Sequence, residues 1–190
     1  MDNNISRLLD YLDESGLSNN TIVVYTSDNG FFFGEHGLFN KMWMYEESLR
    51  IPLIIRYPGV VKPASVNTEM VSILDFAPTF LDFANSQIPS EFQGKSIRPL
   101  LIGKNADNWR KEIYYHYFGQ YEVPEHEGIR TNEYKLIHFK DSAGNIFGEL
   151  YDLRTDNGEM NNLYYQLAFD SVKQTLETKL NEIKKISEKR

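Results

Sequence analysis

The sequence predicts an α/β fold in two parts: a helix-flanked sheet over residues 1–105, followed over residues 106–190 by a small antiparallel sheet packed on a C-terminal helix. In the first part, residues 21–28 and 51–59 are apolar and often β-branched, as in strands buried on both faces. In the second part, aromatic-rich runs separated by turn residues precede an amphipathic segment. An antiparallel sheet covered by one helix is a stable small unit.

Helices are predicted near the N-terminus, over residues 70–85 and over residues 161–189. Apolar residues recur at helical spacing in the first and last of these segments, and Gly16 would end the first helix. Ser72 would cap the middle helix, because its side chain can accept a hydrogen bond from a free backbone N–H. The two apolar stripes consist of Ile5, Leu8, Leu9 and Leu12, and of Val172, Leu176, Leu180 and Ile183.

Three strands are predicted in the second part, over residues 112–118, 128–140 and 148–156. The sequence "DSAGN" at residues 141–145 is a good hairpin connection between the last two. Residues 85–110 contain several Pro and Gly residues, which predict a loop with a short helical piece.

Composition excludes several classes of function. A formal net charge of −7 argues against a general affinity for nucleic acid, because phosphate contacts need a basic face. No run approaches the length of a membrane span, and the N-terminus does not have the pattern of a signal peptide. The chain has no cysteine, which excludes disulfides, thiolate metal sites and a cysteine nucleophile within it.

A polar segment, "TSDNGFFFGEHGLFNKMWMYEES" at residues 26–48, overlaps the end of the first predicted strand. Asp28 and Asn29 lie where this strand ends, and ligands of open α/β sheets collect at the carboxyl ends of strands. Their carboxylate and amide oxygens suit Ca²⁺ or Mg²⁺, although Ca²⁺ takes at least about six ligands. The alternative is that Asn29 and Gly30 form only a tight turn, since Asn-Gly is a common turn dipeptide.

The same segment carries a titratable imidazole, His36, and a cation, Lys41. As an anion ligand, Lys41 would act as a point charge on an oxyanion. The alternatives are that His36 is bonded to the backbone of its loop and that Lys41 extends into solvent. Because these residues all follow one strand, we take them together as a candidate site.

The motif order "TIVVYTSDNG…GEHG…K…YEESLRIPLIIRYPG" resembles the C-terminal half of the type I, formylglycine-dependent sulfatases of the alkaline-phosphatase superfamily. The resemblance covers essentially the whole chain and extends to "GIRTNEYKLIHF" and "ELYDLRTDNGEMNNL". It implies that residues 1–105 are the C-terminal part of a catalytic α/β domain, a partial alkaline-phosphatase-like sheet. Residues 106–190 would be a C-terminal antiparallel α+β subdomain. The sequence is most similar to carbohydrate sulfatases of the N-acetylglucosamine-6-sulfatase type.

This resemblance implies roles for individual residues. Asp28 and Asn29 match a pair that binds a divalent metal, usually Ca²⁺, and Lys41 matches the lysine that contacts the substrate sulfate. His36 matches a loop position close to the pocket, so Lys41 and His36 are the candidate catalytic residues. The implied reaction is sulfate-ester hydrolysis: a formylglycine hydrate attacks sulfur while metal and lysine offset charge on the sulfate oxygens.

In the second part, His116, His126 and Arg130 are the candidate substrate-binding residues, because His and Arg can bond sugar hydroxyls or a neighbouring anionic group. Each could instead be bonded locally within its strand. Nearby tyrosines would suit stacking on a sugar face. We interpret three charged residues as structural, with an internal ion pair among them: Glu46, Glu47 and Arg50.

The sequence departs from the family in two respects. The family's nucleophile arises from a Cys/Ser-x-Pro/Ala-x-Arg motif that this chain does not contain, and two further metal-binding aspartates come from a strand that the sequence lacks. We therefore expect a fragment with an incomplete metal site that is inactive alone, from a periplasmic or exported enzyme acting on glycosaminoglycan-type sugars. A homo-oligomer would be one way to cover exposed sheet faces.

Two alternatives stay open: a phosphatase or phosphonate hydrolase of the same superfamily, and a non-catalytic glycan-binding module. A Thr or Ser nucleophile without the formylglycine motif would favour phosphoryl chemistry, and glycan binding without hydrolysis would favour the module.

Because the nucleophile and half of the metal ligands are missing, the isolated chain should not hydrolyse an aryl sulfate, and Ca²⁺ should bind weakly if at all. Phenol release from a chromogenic aryl sulfate measures the first expectation, and calorimetry measures the second. Turnover that persists through purification, or a micromolar Ca²⁺ site, would contradict this prediction.

Overall fold

A computed structural model describes residues 1–104 and 108–187 of the chain. The chain divides into two compact units, and the segment Asn29–Ile51 belongs to the same unit as the later antiparallel sheet. The sequence-based division near residue 105 instead placed this segment in the first part. The first unit consists of Met1–Asp28 and Pro52–Trp109, and the second of Asn29–Ile51 and Arg110–Arg190.

Helices and strands are interspersed along the described parts of the chain. In chain order they are α1 (Asp2–Glu14), β1 (Val23–Thr26), β2 (Phe32–Phe33), β3 (Phe39–Asn40), α2 (Glu46–Leu49), β4 (Leu53–Arg56), α3 (Phe76–Phe83), α4 (Arg98–Leu101), β5 (Glu112–Tyr117), β6 (Glu125–Thr131), β7 (Tyr134–Lys140), β8 (Ile146–Asp152) and α5 (Asp170–Ser187). The chain therefore mixes helices with small antiparallel sheets, as predicted.

In the first unit, β1 pairs antiparallel with β4, and a buried cluster forms around Ile97, Leu100 and Trp109. The strand pair is only partly covered, since Ile54 keeps 65% of its surface exposed. The prediction that both strands are buried on both faces is therefore wrong for this chain. The physical reason is that no other described strand extends this two-stranded sheet.

Both helices predicted in the first unit are present, but α3 covers only Phe76–Phe83 of the helix predicted over residues 70–85, and a 3₁₀ turn, Ile73–Asp75, precedes it. Helix α1 ends just before Gly16, whose φ of 71° is the left-handed conformation that glycine adopts without strain. A capping box precedes α3: the Ser72 side chain accepts from the Leu74 N–H, and the Asp75 carboxylate accepts from the Ser72 N–H at 2.8 Å. Part of the loop predicted over residues 85–110 lies outside the described residues.

Helix α5 begins at Asp170, later than the predicted start near residue 161, and its predicted end at residue 189 lies outside the described residues. Before Asp170 the chain is held by side-chain hydrogen bonds instead: the Asn162 side-chain oxygen accepts from the backbone N–H groups of Leu150 and Tyr164.

In the described parts of the chain, the helices are too short or too polar for a transmembrane span.

The second unit contains an antiparallel sheet in the order β5-β6-β7-β8. The sequence predicted three strands in this region, but residues 128–140 form parts of two, β6 and β7, joined by a turn. The Thr131 hydroxyl oxygen accepts from the backbone N–H groups of Glu133 at 3.3 Å and Tyr134 at 2.9 Å. The turn between β6 and β7 is therefore formed by a threonine side chain and not by the Gly-containing dipeptide that is typical of tight hairpins.

Both faces of this sheet are covered within the second unit. On one face, α5 contributes to a buried cluster of Ile129, Leu136, Leu150, Leu163, Leu176 and Leu180. On the other face, the segment Asn29–Ile51 contributes to a buried cluster of Phe32, Met44, Tyr45, Ile137, Phe139, Tyr151 and Leu153. Full burial of each large apolar side chain stabilises the unit by about 1.5–3 kcal/mol. The sheet is therefore a layer between α5 and the segment Asn29–Ile51.

A cluster of charges is buried on the face that the segment Asn29–Ile51 covers. The side chains of Lys135 and Glu159 are fully buried, with 2.6 Å between Lys135 Nζ and Glu159 Oε1. Lys135 Nζ also lies 2.9 Å from Glu46 Oε1, and Arg130 Nη2 lies 3.2 Å from Glu46 Oε2. The Glu46 N–H donates to Glu159 Oε2 at 2.7 Å. Two basic and two acidic side chains thus meet here, and we call these four residues the ion cluster. The contact between Lys135 Nζ and Glu159 Oε1 lacks hydrogen-bond geometry, and burial raises the pKa of Glu159.

The ion cluster changes the acidity of Glu46. Burial alone would raise the pKa of this carboxyl, but Lys135 and Arg130 outweigh burial and lower the pKa to about 2. Because this folded pKa lies below the ordinary value of 4.5, the contribution of Glu46 to the free energy of unfolding is fully present above about pH 4.5. It is lost as the pH falls towards 2.

Replacing Lys135 with Met should lower the free energy of unfolding by about 3–5 kcal/mol, because it leaves buried carboxylates without their cation. Lys140→Met is the matched control on the same strand: its side chain is 53% exposed, and it pairs with Glu125 at 3.3 Å. The control should cost less than about 1 kcal/mol. Urea denaturation measures both, and equal losses would contradict the role of the ion cluster.

Candidate functional site

The structure brings together Asn29 and Lys41, two of the residues singled out in the sequence. Lys41 Nζ donates a hydrogen bond to Asn29 Oδ1 at 2.7 Å. Asn29 Nδ2 in turn donates to the Gly30 carbonyl at 2.7 Å, which fixes the orientation of the carboxamide. The amide oxygen therefore faces the ammonium, and the pair is a polar centre on which an anion could be held.

Asp28 is the last residue of the first compact unit, with an exposed side chain whose Oδ1 accepts from the Ser27 hydroxyl at 3.3 Å. Its carboxylate and the Asn29 amide have the hard oxygens that Ca²⁺ prefers. However, Asn29 Oδ1 already accepts from an ammonium, and the described residues contain no group of three or more His, Cys, Asp or Glu residues that could hold a metal. Asp28 and Asn29 thus present two side-chain groups with oxygen ligands, whereas Ca²⁺ takes at least about six ligands.

His36 lies in a 3₁₀ turn, Glu35–Gly37, with a left-handed φ of 56°. Its ring stacks on Tyr45, with 4.2 Å between centroids and 9° between planes. His36 Nε2 lies 3.4 Å from Glu47 Oε2, a close contact that lacks hydrogen-bond geometry. The imidazole is therefore held between an aromatic ring and a carboxylate of the same segment.

The backbone on both sides of Lys41 is left-handed, with φ of 84° at Asn40 and 91° at Met42. Such conformations cost non-glycine residues of the order of 1–3 kcal/mol and cluster at functional sites. The backbone next to Lys41 is thus held in a conformation that an unfolded peptide would rarely adopt.

Gly30 is needed for a close approach between two parts of the segment Asn29–Ile51. Its N–H donates to the Ser48 carbonyl at 2.8 Å, and a Cβ at this position would lie 1.9 Å from the Glu47 carbonyl oxygen. β1 pairs with β4, so Asn29 and Gly30 do not join two adjacent hairpin strands. The alternative of a simple hairpin turn is therefore not what the structure shows.

His126, a predicted substrate-binding residue, is only 1% exposed. Its Nδ1 lies 2.9 Å from the Pro124 carbonyl and must be the donor, and burial lowers the pKa of the imidazole. Nε2 is buried and has no hydrogen-bond partner of good geometry. Four aromatic rings surround the imidazole: Trp43, Tyr115, Tyr117 and Phe139.

His116 and Arg130 are partly exposed, and their polar atoms have protein partners. His116 Nε2 lies 3.3 Å from Glu125 Oε1, and Arg130 belongs to the ion cluster. Glu46 is structural, as interpreted from the sequence, but its partners lie on the sheet, whereas Arg50 is exposed.

The sequence reasoning missed Lys135 and Glu159. For Lys135 a signal was present, since strand alternation places it on the face that carries Ile137 and Phe139. A lysine in phase with buried side chains predicts a buried partner of opposite charge.

Comparison with known proteins supports the resemblance. Residues 34–186 match the family described as N-sulphoglucosamine sulphohydrolase, C-terminal. The chain is 47% identical over 190 residues to an N-acetylglucosamine-6-O-sulfatase of Bacteroides thetaiotaomicron, covering 97% of this chain and 34% of that protein. The chain thus spans about a third of the length of this relative.

Solved structures are similar over nearly the whole chain. One, in complex with its substrate D-glucosamine-2-N,6-O-disulfate, is 46% identical with a TM-score of 0.90, covering 97% of this chain and 38% of that one. A phosphonate monoester hydrolase from Silicibacter pomeroyi is 27% identical with a TM-score of 0.84, covering 95% and 38%. The sequence identity to the sulfatase relative is higher than the identity to the phosphonate monoester hydrolase, so the comparison does not favour the phosphatase or phosphonate hydrolase alternative.

Gly30→Ala should lower the free energy of unfolding by at least about 1–3 kcal/mol, because the new methyl group would overlap the Glu47 carbonyl. Gly158→Ala is the control, since a Cβ there meets only Met160 Cγ at an ordinary 3.7 Å. It should change stability by less than about 0.5 kcal/mol. Thermal and urea denaturation measure both variants, and a neutral Gly30→Ala would show that the close approach is not required.

Proposed function

Because the chain belongs to the N-sulphoglucosamine sulphohydrolase C-terminal family of the sulfatases, we propose that it provides the sulfate-binding lysine of an enzyme that hydrolyses carbohydrate sulfate esters. The observation that carries this proposal is the 2.7 Å hydrogen bond from Lys41 Nζ to Asn29 Oδ1. A positioned ammonium stabilises charge that develops on sulfate oxygens, and it does so best when it need not reorganise during the reaction. Asn29 and the left-handed backbone beside Lys41 supply that positioning.

The proposed substrate is a sulfated glucosamine of the glycosaminoglycan type. Two findings support it: the name of the Bacteroides relative and the disulfated glucosamine bound in the similar solved structure. His116 and Arg130 remain the proposed sugar-binding residues, because each side chain is partly exposed. His126 is enclosed by aromatic rings, so a role in substrate binding would act through its neighbours Trp43 and Tyr115.

We propose further that Asp28 and Asn29 supply two oxygen ligands of a divalent cation, with Ca²⁺ the best chemical match. The Asn29 amide oxygen has two lone pairs, so it can accept from Lys41 and bind the cation as well. This proposal requires further ligands, since the described residues contain no group of three or more His, Cys, Asp or Glu residues that could hold a metal. The formylglycine that the family resemblance implies would supply the nucleophile. The residues of this chain would then contribute orientation and charge: Lys41 binds the sulfate, and Asn29 holds Lys41.

Titration with inorganic sulfate, followed by NMR, tests this function. Sulfate should shift the Lys41 signals of the wild-type chain, and Lys41→Gln should weaken its binding by about tenfold or more, which corresponds to at least one lost charge interaction of about 1.4 kcal/mol. Lys62→Gln is the control, because Lys62 is an exposed cation of the first unit, and it should change affinity by less than about twofold. Inorganic phosphate, titrated in parallel, reports selectivity between the two anions.

Sulfate affinity that survives Lys41→Gln unchanged would contradict the proposal. Equal losses in Lys41→Gln and Lys62→Gln would also contradict it, because they would indicate binding by overall charge alone.

A further inference from the structure

Met42, the residue after Lys41, is held by three hydrogen bonds that involve side chains of the second unit. Its N–H donates to the Ser48 hydroxyl at 3.2 Å, and its carbonyl accepts from the Tyr115 hydroxyl at 3.0 Å. The Tyr117 hydroxyl donates to Met42 Sδ at 3.1 Å. Both polar groups of the Met42 backbone therefore have side-chain partners.

These partners come from different elements. Ser48 belongs to α2 and Tyr115 to β5, so Met42 is fixed from two directions. A left-handed φ of 91° is disfavoured for methionine and persists only where the surroundings over-determine it. The two backbone hydrogen bonds are suited to do this, since a return to an ordinary φ would rotate the flanking peptide groups away from both partners.

We propose that Tyr115 and Ser48 are positioning residues for Lys41: they hold Met42 in its left-handed conformation and so direct the Lys41 ammonium towards Asn29. The positioning role does not require the proposed function. Only the statement that Lys41 then binds a sulfate rests on it. Neither residue touches a reacting group, and each acts through the backbone.

The surroundings of both hydroxyls fit this role. The Tyr115 ring packs against His126, with 5.6 Å between centroids, and the buried Ser48 side chain cannot turn to solvent. Burial, and to a lesser extent Tyr117, raises the pKa of Tyr115 to about 12, so its hydroxyl keeps its proton and remains a donor at neutral pH. The geometry therefore depends little on pH in the neutral range.

Tyr114 offers a matched control on the same strand. Its neighbouring position points to the opposite face of β5, and its hydroxyl donates to Glu127 Oε2 at 2.9 Å. Tyr114→Phe and Tyr115→Phe thus each remove one hydroxyl from a partly buried tyrosine of β5, but only the second removes a contact to Met42.

The test compares Tyr115→Phe, Ser48→Ala and Tyr114→Phe in the whole chain labelled with ¹⁵N-lysine. The Lys41 ammonium signal is assigned by its loss in Lys41→Gln. In Tyr115→Phe and Ser48→Ala this signal should move towards that of exposed lysines, and its protons should exchange with water roughly 2- to 10-fold faster, as expected when one hydrogen bond is lost. In Tyr114→Phe the signal should stay unchanged.

An unchanged Lys41 signal in folded Tyr115→Phe and Ser48→Ala would overturn the proposal, as would an equal change in Tyr114→Phe. If Tyr115→Phe does not fold, Ser48→Ala decides alone. Titration of the same samples with inorganic sulfate separates the two proposals. If the chain binds no sulfate, the proposed function fails. Movement of the Lys41 signal in the variants would then still support the positioning role.

Discussion

The buried pairing of Lys135 with Glu159 is the constraint on which the second unit depends. Neither side chain is exposed to water, so each charge must be matched by protein groups. Glu46 completes the match, and its helix α2 lies in the segment that carries Asn29 and Lys41. The candidate site is thus attached to the sheet by charge as well as by apolar contact.

Apolar packing and the ion cluster have different effects on this segment. Phe32 and Met44 bury area against the sheet, and such contact is non-directional. A buried ion pair with short distances tolerates far less displacement, because its attraction must offset the loss of hydration. The segment is therefore both stabilised and fixed in position, and a left-handed backbone next to Lys41 can be held in place.

Features encoded locally were predicted well from the sequence. Apolar spacing predicted α1 and most of α5, and Ser72 was predicted as a cap and does cap the 3₁₀ turn that leads into α3. The proximity of Asn29 and Lys41 came from a family resemblance and not from spacing, because residues so far apart in a loop have no fixed geometry.

Features that depend on distant partners were not predicted. The turn after Thr131 was missed because a side chain, and not a glycine, bends the chain there. The ion cluster was missed because Glu46 and Glu159 are separated by most of the chain and meet only after the sheet has formed. Two partners of Met42, Tyr115 and Tyr117, escaped the sequence reasoning because they also lie far from it along the chain.

Lys135 also has a consequence for strand pairing. On β7 it lies between Tyr134 and Leu136, both of which pack in the cluster that α5 covers. A slip of β7 by one residue would turn the lysine towards leucine side chains and turn Leu136 towards two carboxylates. Both exchanges are unfavourable, so the buried charge of Lys135 favours the observed register of β7 against its neighbouring strands. A single polar residue sets the register of a coiled coil in the same way.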